Sequence, residues 1–240
     1  MSVRRYLTAG LLVIVLLTGT VQTFAASGRN IPWTVEKVGT FDVPQELQVV
    51  ELSEVLGMMN KDLATMKAGR AALTNPAVNL SQLVALKKQL NMNLYHLTIN
   101  NGKAYYTASL FLYRDQKPMD DSERQFFGAK ATPEQREQIE KLLSDTKDMA
   151  SEAVNEVKMN NSGIAMLELA PVEYFMLDGK QAYGEGVRIV GSVYGVSLPM
   201  YAKSYVFDAQ GNLAVAVLLS SDAERSFWEP VMRRIVRSYH

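Results

Sequence analysis

The strongest constraint on the fold lies between residues 164 and 220, where short runs of β-branched and aromatic residues alternate with turn residues. This spacing is typical of strands that follow one another through tight turns. The predicted strands cover 164–170, 172–177, 182–190, 198–207 and 212–220. Strands joined this closely pair antiparallel, so this part of the chain predicts a meander.

The last predicted strand is apolar on both faces. Leucine and valine side chains alternate with small ones such as Ala214 and Ala216. This pattern favours a central strand with a helix packed closely on one side. The predicted final helix fills that space: the capping-box spacing from Ser226 places Pro230 in the first turn and Trp228 in the core.

The first half of the chain predicts two further groups of strands. An opening hairpin spans 34–44, and 47–52 continues the same alternation. A second hairpin joins 94–99 to 103–113 through Asn-Asn-Gly, whose glycine adopts the positive φ that a tight turn requires. Both groups indicate antiparallel pairing.

Helices are predicted in the intervening segments. Residues 54–80 predict irregular helical pieces, and 81–91 predict a short helix. After a polar loop at 115–130, Thr132 is a good N-cap and apolar residues recur at helical spacing from 133 to about 159. The predicted fold class is therefore α+β: a mainly antiparallel sheet with helices packed on it, including one long central helix and a C-terminal helix.

The first 25 residues have the organisation of a secretory signal peptide. The basic pair Arg4 and Arg5 precedes an apolar run over 7–17, and a small-x-small pattern ends at Ala25. The run is shorter than the ~20 residues that span a bilayer. Cleavage after Ala25 is therefore predicted, with an uncleaved membrane anchor as the alternative.

Residues 26–240 form a single predicted domain, periplasmic or extracellular. Loss of Arg4 and Arg5 leaves 23 basic against 25 acidic residues, a net charge of −2. This balance disfavours nucleic acid as a partner, because phosphate binding needs a basic surplus. The chain has no cysteine, which excludes disulfides, thiolate metal ligands, a cysteine nucleophile and a lipidated cysteine anchor.

The two ends of the chain resemble PsbP-like domains. Residues 41–44 (Phe-Asp-Val-Pro) are similar to their first strand, and residues 224–239 resemble their closing helix, which ends here in Ser238 and Tyr239. The resemblance implies an antiparallel sheet with helices on its faces, in a family of mostly exported, non-catalytic accessory proteins. That family includes the photosystem extrinsic subunit and DcrB-type bacterial envelope proteins. Residues 53–131 have no counterpart, and no functional residue is carried over.

Few side chains suit a catalytic site. A Ser-His-Asp arrangement has to use His96, because the other histidine, His240, is the last residue. Strand alternation at His96 favours a solvated or structurally hydrogen-bonded side chain. A carboxylate-dependent hydrolase would need two of Glu168, Glu173 and Glu185 to face one cleft. Glu173 stands out because its neighbours on a predicted strand are apolar.

Two clusters carry side chains that suit metal ions. They are Asp120, Asp121 and Glu123 in the predicted polar loop, and Met58, Met59 and Met66 upstream. The acidic spacing matches no calcium loop, which favours a solvated loop. Thioethers suit copper(I), but methionine is a common filler of irregular cores. Neither a metal site nor a cofactor is therefore predicted.

Glycines and tyrosines are concentrated in the predicted strands. The glycines are Gly184, Gly186, Gly191 and Gly195, and the tyrosines are Tyr105, Tyr113, Tyr174, Tyr183, Tyr194, Tyr201 and Tyr205. The glycine spacing fits no phosphate-binding loop and indicates bulges or tight strand bends. Tyrosines lining one face would bind a sugar, peptide or lipid headgroup, although tyrosine also simply prefers strands.

These observations predict an exported, non-catalytic binding or accessory protein of the bacterial cell envelope. The alternative is a carboxylate-dependent extracytoplasmic hydrolase. The predicted partner is an envelope protein or a small ligand, contacted by a sheet face or by the loops around 115–130. No membrane span is predicted after leader cleavage, and the sequence specifies no ligand-binding residue and no oligomeric state.

Overall fold

The computed structural model describes residues 29–51, 93–100, 102, 104–128, 132–138, 141, 163–193 and 196–240. The strands are β1 (Asn30–Val35), β2 (Gly39–Pro44), β3 (Leu47–Glu51), β4 (Asn93–Asn100), β5 (Tyr105–Pro118), β6 (Gly163–Leu169), β7 (Glu173–Leu177), β8 (Lys180–Val193), β9 (Val196–Ala209) and β10 (Asn212–Ser221). Two helices are described over their whole length, α1 (Asp121–Phe126) and α2 (Arg225–Arg237), with a 3-10 turn over Asp222–Glu224 before α2, and residues 133–138 are also helical.

Eight strands form one antiparallel sheet in the order β3-β4-β5-β10-β9-β8-β6, and β7 also pairs with β8. Because β8 is 14 residues long, β7 pairs with its first half and β6 with its second. β1 and β2 form a separate antiparallel hairpin. The five strands predicted between 164 and 220 are all present, and β10 is confirmed as a central strand.

α2 packs on the face of the sheet where β10 carries Ala214 and Ala216. Trp228, Met232 and Val236 on the helix are fully buried there. The small alanine side chains let the helix backbone approach the sheet closely, so the large side chains fill the space between them. Truncating a buried aromatic side chain of this kind typically costs about 3–5 kcal/mol.

Glu224 fixes the start of α2, and its side chain is fully buried. Its Oε2 accepts hydrogen bonds from Trp228 Nε1 at 2.9 Å and from Thr107 N on β5 at 3.1 Å. Burial raises the pKa of the Glu224 carboxyl. The predicted cap at Ser226 is wrong, because the N-cap is Glu224, two residues earlier, and Pro230 lies inside the helix beyond its first turn.

The residues after α2 attach the β1–β2 hairpin to the rest of the fold. Ser238 Oγ accepts a hydrogen bond from Asp42 N at 2.7 Å, and the backbone of His240 exchanges two hydrogen bonds with β2. Tyr239 Oη donates to the Val38 carbonyl at 3.2 Å. Ser238 and Tyr239 therefore join the helix to the hairpin.

The opposite face of the sheet is also apolar. A cluster of Met119, Phe127, Tyr183 and Leu213 is buried there next to α1. Side chains of β10 are therefore buried on both faces of the sheet, as its two-sided apolar pattern predicts for a central strand.

The predicted α+β fold class, a mainly antiparallel sheet with packed helices that include one long central helix, is wrong. Strands dominate the part of the chain that the structure describes, and α2, with 13 residues, is the longest helix there. Residues 133–138 are helical, and Thr132 Oγ1 accepts a hydrogen bond from Gln135 N at 3.2 Å. A capping box fixes where a helix begins and not how far it extends. Most of the predicted span after 138 lies outside the described residues.

Several further predictions also fall outside the described residues. They are the leader at 1–25, the irregular pieces at 54–80 and the helix at 81–91. Within the ranges that are described, no helix is long and apolar enough to cross a membrane.

The first testable prediction concerns Gly39, the first residue of β2. Its φ is +146°, and a Cβ there would overlap the ring of Tyr239. Gly39→Ala should lower the free energy of unfolding by about 3 kcal/mol, because strain in φ adds to overpacking. The matched control is Gly179→Ala, where φ is +72° but the space is open; its cost should be about 1 kcal/mol. Urea unfolding followed by circular dichroism measures both, and equal losses would contradict the packing role of Tyr239.

Candidate functional site

The three carboxylates considered for hydrolysis do not converge. Glu168 lies beside Arg188 and Arg225, with Oε2 2.8 Å and 3.9 Å from their guanidinium nitrogens. Glu173 lies on β7, and Glu185 occupies the sheet face away from α2. Because no two of them share a cleft, their placement does not assemble the acid and base that glycoside hydrolysis uses.

Glu173 is the centre of an ionic network between the sheet and α2. Arg233 Nε lies 2.8 Å from its Oε1, and Arg237 Nη2 lies 3.7 Å from the same atom. Lys203 Nζ on β9 is 3.3 Å from Glu173 Oε2 and 3.7 Å from Glu229 Oε1. Lys203 is only 2% exposed, so these two carboxylates offset the cost of burying its ammonium group.

Glu185 has a different environment from the other two carboxylates. Burial raises the pKa of its carboxyl to about 6, although the nearby Lys203 opposes the shift. It lies across from Ser204, whose Oγ donates to the Glu185 backbone carbonyl at 3.3 Å. The raised pKa makes the charge of Glu185 sensitive to pH. Among the described residues, neither Glu168 nor Glu173 lies beside it to act as a catalytic partner.

His96 lies on β4, directly across from Ser109 on β5 and Val50 on β3. Burial lowers the pKa of the imidazole, because it disfavours the charged form. In the described part of the chain no carboxylate contacts it, so the third member of a Ser-His-Asp arrangement is not assembled there. His240 pairs through its backbone with β2.

The acidic cluster at 120–123 caps a helix. Asp120 Oδ1 accepts a hydrogen bond from Glu123 N at 2.9 Å, and Glu123 Oε2 accepts one from Asp120 N at 3.1 Å. The predicted polar loop at 115–130 is therefore wrong, because β5 continues to Pro118 and α1 follows it. The three methionines considered as copper ligands lie outside the described residues.

Two of the glycines that predicted bulges or strand bends, Gly184 and Gly186, instead leave space for tyrosine rings. A Cβ at Gly184 would lie 2.7 Å from the ring of Tyr205, and one at Gly186 would meet the hydroxyl of Tyr201. Both rings lie on the α2 side of β9. Of the other tyrosines, Tyr183 is buried on the opposite face, so the described tyrosines do not line one common surface.

A small polar cleft opens beside the β1–β2 turn and encloses about 60 Å³. It is lined by Glu36, Lys37, Val38, Asn93, Arg114 and Gln116. Strands β4 and β5 form its floor, and the turn forms one wall. Asn93 Nδ2 donates to the Glu36 carbonyl at 3.5 Å and Tyr239 donates to Val38, so the wall is attached on two sides.

Arg114 provides the charge at the floor of this cleft. Its Nη1 lies 3.5 Å from the Val38 carbonyl, and its Nη2 lies 3.5 Å from Asn212 Oδ1. Asn212 is oriented by a bond from its Nδ2 to the Asp115 carbonyl at 2.8 Å. Above the floor, Lys37 has a φ of +62°, which is uncommon for a residue other than glycine.

No sequence motif marks the residues of the cleft. They come from three segments that are far apart in the chain, and no motif joins them. The sequence predicts a hairpin turn before Gly39, and so where the chain reverses. It does not predict that this turn lies opposite Asn93, Arg114 and Gln116.

No protein-family model and no curated protein matches the chain. Solved structures that are similar to it include two of low identity. Cyanobacterial PsbP (CyanoP) from Synechocystis sp. PCC 6803 is 11% identical, with a TM-score of 0.41, over 94% of this chain and 98% of that one. A protein of unknown function from Pseudomonas aeruginosa is 9% identical, with a TM-score of 0.32, over 89% of this chain and 97% of that one. At these TM-scores neither likeness says what the chain does.

The ionic network predicts unequal effects of two charge removals. Glu173→Gln leaves the buried Lys203 with Glu229 alone and removes the shared partner of Arg233 and Arg237, so it should cost about 2–3 kcal/mol. Lys203→Met keeps the buried alkyl chain and leaves Glu173 with its arginines, so it should cost less than 1 kcal/mol. Denaturant unfolding of both variants measures the difference, and the reverse order would show that the network does not compensate Lys203.

Glu185 predicts a specific pH dependence of stability. Its pKa is higher in the folded state than the ordinary 4.5, so its neutral form favours folding at low pH. That contribution is lost as pH rises from 4.5 through about 6. Relative to Glu185→Gln, the native chain should therefore lose stability across this window and change little above it. Melting temperatures across the window test this, with the exposed Glu137→Gln as a control; parallel curves for the native chain and Glu185→Gln would contradict it.

Proposed function

We propose that this chain is an exported, non-catalytic binding or accessory protein of the bacterial cell envelope. The observation that carries the proposal is the polar cleft beside the β1–β2 turn. Its floor presents the guanidinium group of Arg114 and two amides, and the turn that forms its wall presents a lysine. Such a set of hydrogen-bond donors on a rigid sheet suits the binding of a ligand.

The chemistry of the cleft supports binding rather than turnover. Its six lining residues include no serine, threonine, cysteine or histidine that would act as a nucleophile with a base. Its one carboxylate, Glu36, has a side chain that is 85% exposed and lies 3.8 Å from Lys37 Nζ. The separation of Glu168, Glu173 and Glu185 supports the same interpretation.

The first 25 residues support export, because a basic pair, an apolar run and a small-x-small pattern follow one another there as in a signal peptide. Expression of the full chain in a Gram-negative host should yield a periplasmic protein whose N-terminus is Ala26. Ala25→Asp places a charge where the peptidase requires a small residue, so precursor of full length should accumulate at the membrane. Fractionation and intact-mass measurement test both expectations. Recovery of the full-length native chain from the cytoplasm would refute export.

Binding at the cleft has its own test. Native mass spectrometry of the exported protein, isolated gently from envelope extract, should show a bound molecule or partner that Arg114→Gln loses. Arg29→Gln is the matched control, because Arg29 is exposed at the other end of the β1–β2 hairpin. If both variants retain the same bound species as the native chain, the cleft is not the binding site.

A further inference from the structure

Arg114 differs from the other half-buried arginines in the described part of the chain. Arg188, Arg225 and Arg233 each lie within 4 Å of at least one carboxylate oxygen. Arg114 has no such neighbour among the described residues and makes only the two long contacts to Val38 and Asn212. A partly desolvated cation normally acquires an anion, since burial of unpaired charge is unfavourable.

The geometry leaves donors of Arg114 available to a ligand. A guanidinium group has five N–H donors in a fixed planar fork. The two protein contacts, both to neutral oxygens at 3.5 Å, occupy one donor on each terminal nitrogen. The remaining donors match the paired oxygens of a carboxylate or a phosphate, which arginine binds through two parallel hydrogen bonds.

The other lining residues also favour an anion. Asn93 Nδ2 and Gln116 Nε2 each make one bond to a backbone carbonyl, and each amide group retains a second N–H. Lys37 adds a second positive charge at the mouth. Its partner Glu36 is largely in solvent, so an arriving anion displaces that carboxylate into water without burying it.

Among the described residues, no carboxylate forms a salt bridge with Arg114. Asp208 and Arg114 both lie close enough to Tyr239 to affect the pKa of its hydroxyl. Asp208 forms a salt bridge with Lys180 at 2.8 Å and not with Arg114. The volume of about 60 Å³ is far below that of a pocket that encloses a whole metabolite. The cleft therefore accommodates one functional group, either a free ion or the end of a larger molecule.

We propose that the cleft binds an oxyanion group, a carboxylate or a phosphate, through Arg114 with Lys37 at its mouth. This inference rests on the proposed binding function and specifies its ligand chemistry. The bound group accepts two hydrogen bonds from Arg114, and the amides of Asn93 and Gln116 complete the set of donors.

Titration of the isotope-labelled exported protein with inorganic phosphate and, separately, with acetate tests the proposal by NMR. At least one anion should give saturable shifts of the backbone amides of Lys37, Val38 and Asn93, and chloride at equal ionic strength should not. Preference for phosphate over acetate, or the reverse, identifies the source of the oxyanion. Arg114→Gln should weaken binding about tenfold or more, because it removes a charge-assisted fork.

Lys37→Gly separates binding from folding. Glycine adopts a φ of +62° without strain, so this variant should keep the native melting temperature while it weakens binding about twofold to fivefold. Arg29→Gln should bind like the native chain. Equal shifts with chloride, an absence of saturation with both anions, or equal weakening in Arg29→Gln and Arg114→Gln would each overturn the anion site. A bound species in native mass spectrometry that depends on Arg114 would then still support the proposed function, with a different ligand chemistry.

Discussion

The packing of α2 on the sheet is the interaction on which the rest of the structure depends. Trp228 is fully buried near the start of the helix. Glu224 accepts hydrogen bonds from the indole nitrogen of Trp228 and from the backbone nitrogen of Thr107. Because one carboxylate oxygen joins the helix to β5, movement of α2 along the sheet would leave buried donors without an acceptor. The contact therefore fixes the position of the helix as well as burying its apolar face.

The position of α2 then determines how the charges of the fold are paired. Glu229 and Arg233 come from the helix, and Glu173 and Lys203 come from the sheet, so the network forms only when the two are in contact. An ammonium group buried as deeply as Lys203 requires carboxylates on more than one side. The same helix turns Arg237 towards Glu173. Arg114, which contacts the turn of the β1–β2 hairpin, has no equivalent partner in the described chain, and this contrast is what distinguishes the cleft.

The parts of the fold that sequence predicted well are those that local patterns specify. Alternating residues and turn dipeptides such as Asp178-Gly179 locate the strands between 164 and 220, because side-chain period and turn chemistry act within a few residues. The start of α2 differs from the prediction because the residue before it, Glu224, is held by Trp228 and Thr107, and such tertiary contacts leave no local signal in the sequence. The long helix was wrong because the Thr132 signal is confined to one turn. The cleft could not be predicted, since it joins residues 36–38 with Asn93 and Arg114 only after the sheet forms.

The Val38 carbonyl connects the end of α2 to the cleft. It accepts a hydrogen bond from Tyr239 Oη at 3.2 Å and a longer one from Arg114 Nη1 at 3.5 Å. A two-stranded hairpin is marginally stable by itself, so β1 and β2 hold their place through contacts of this kind. Since the wall of the cleft is this hairpin, a ligand that binds only the assembled cleft stabilises the attachment of the hairpin as well. The C-terminal Ser-Tyr pair thus contributes to the site without lining it, because it holds the turn at the distance from Arg114 that leaves the cleft open.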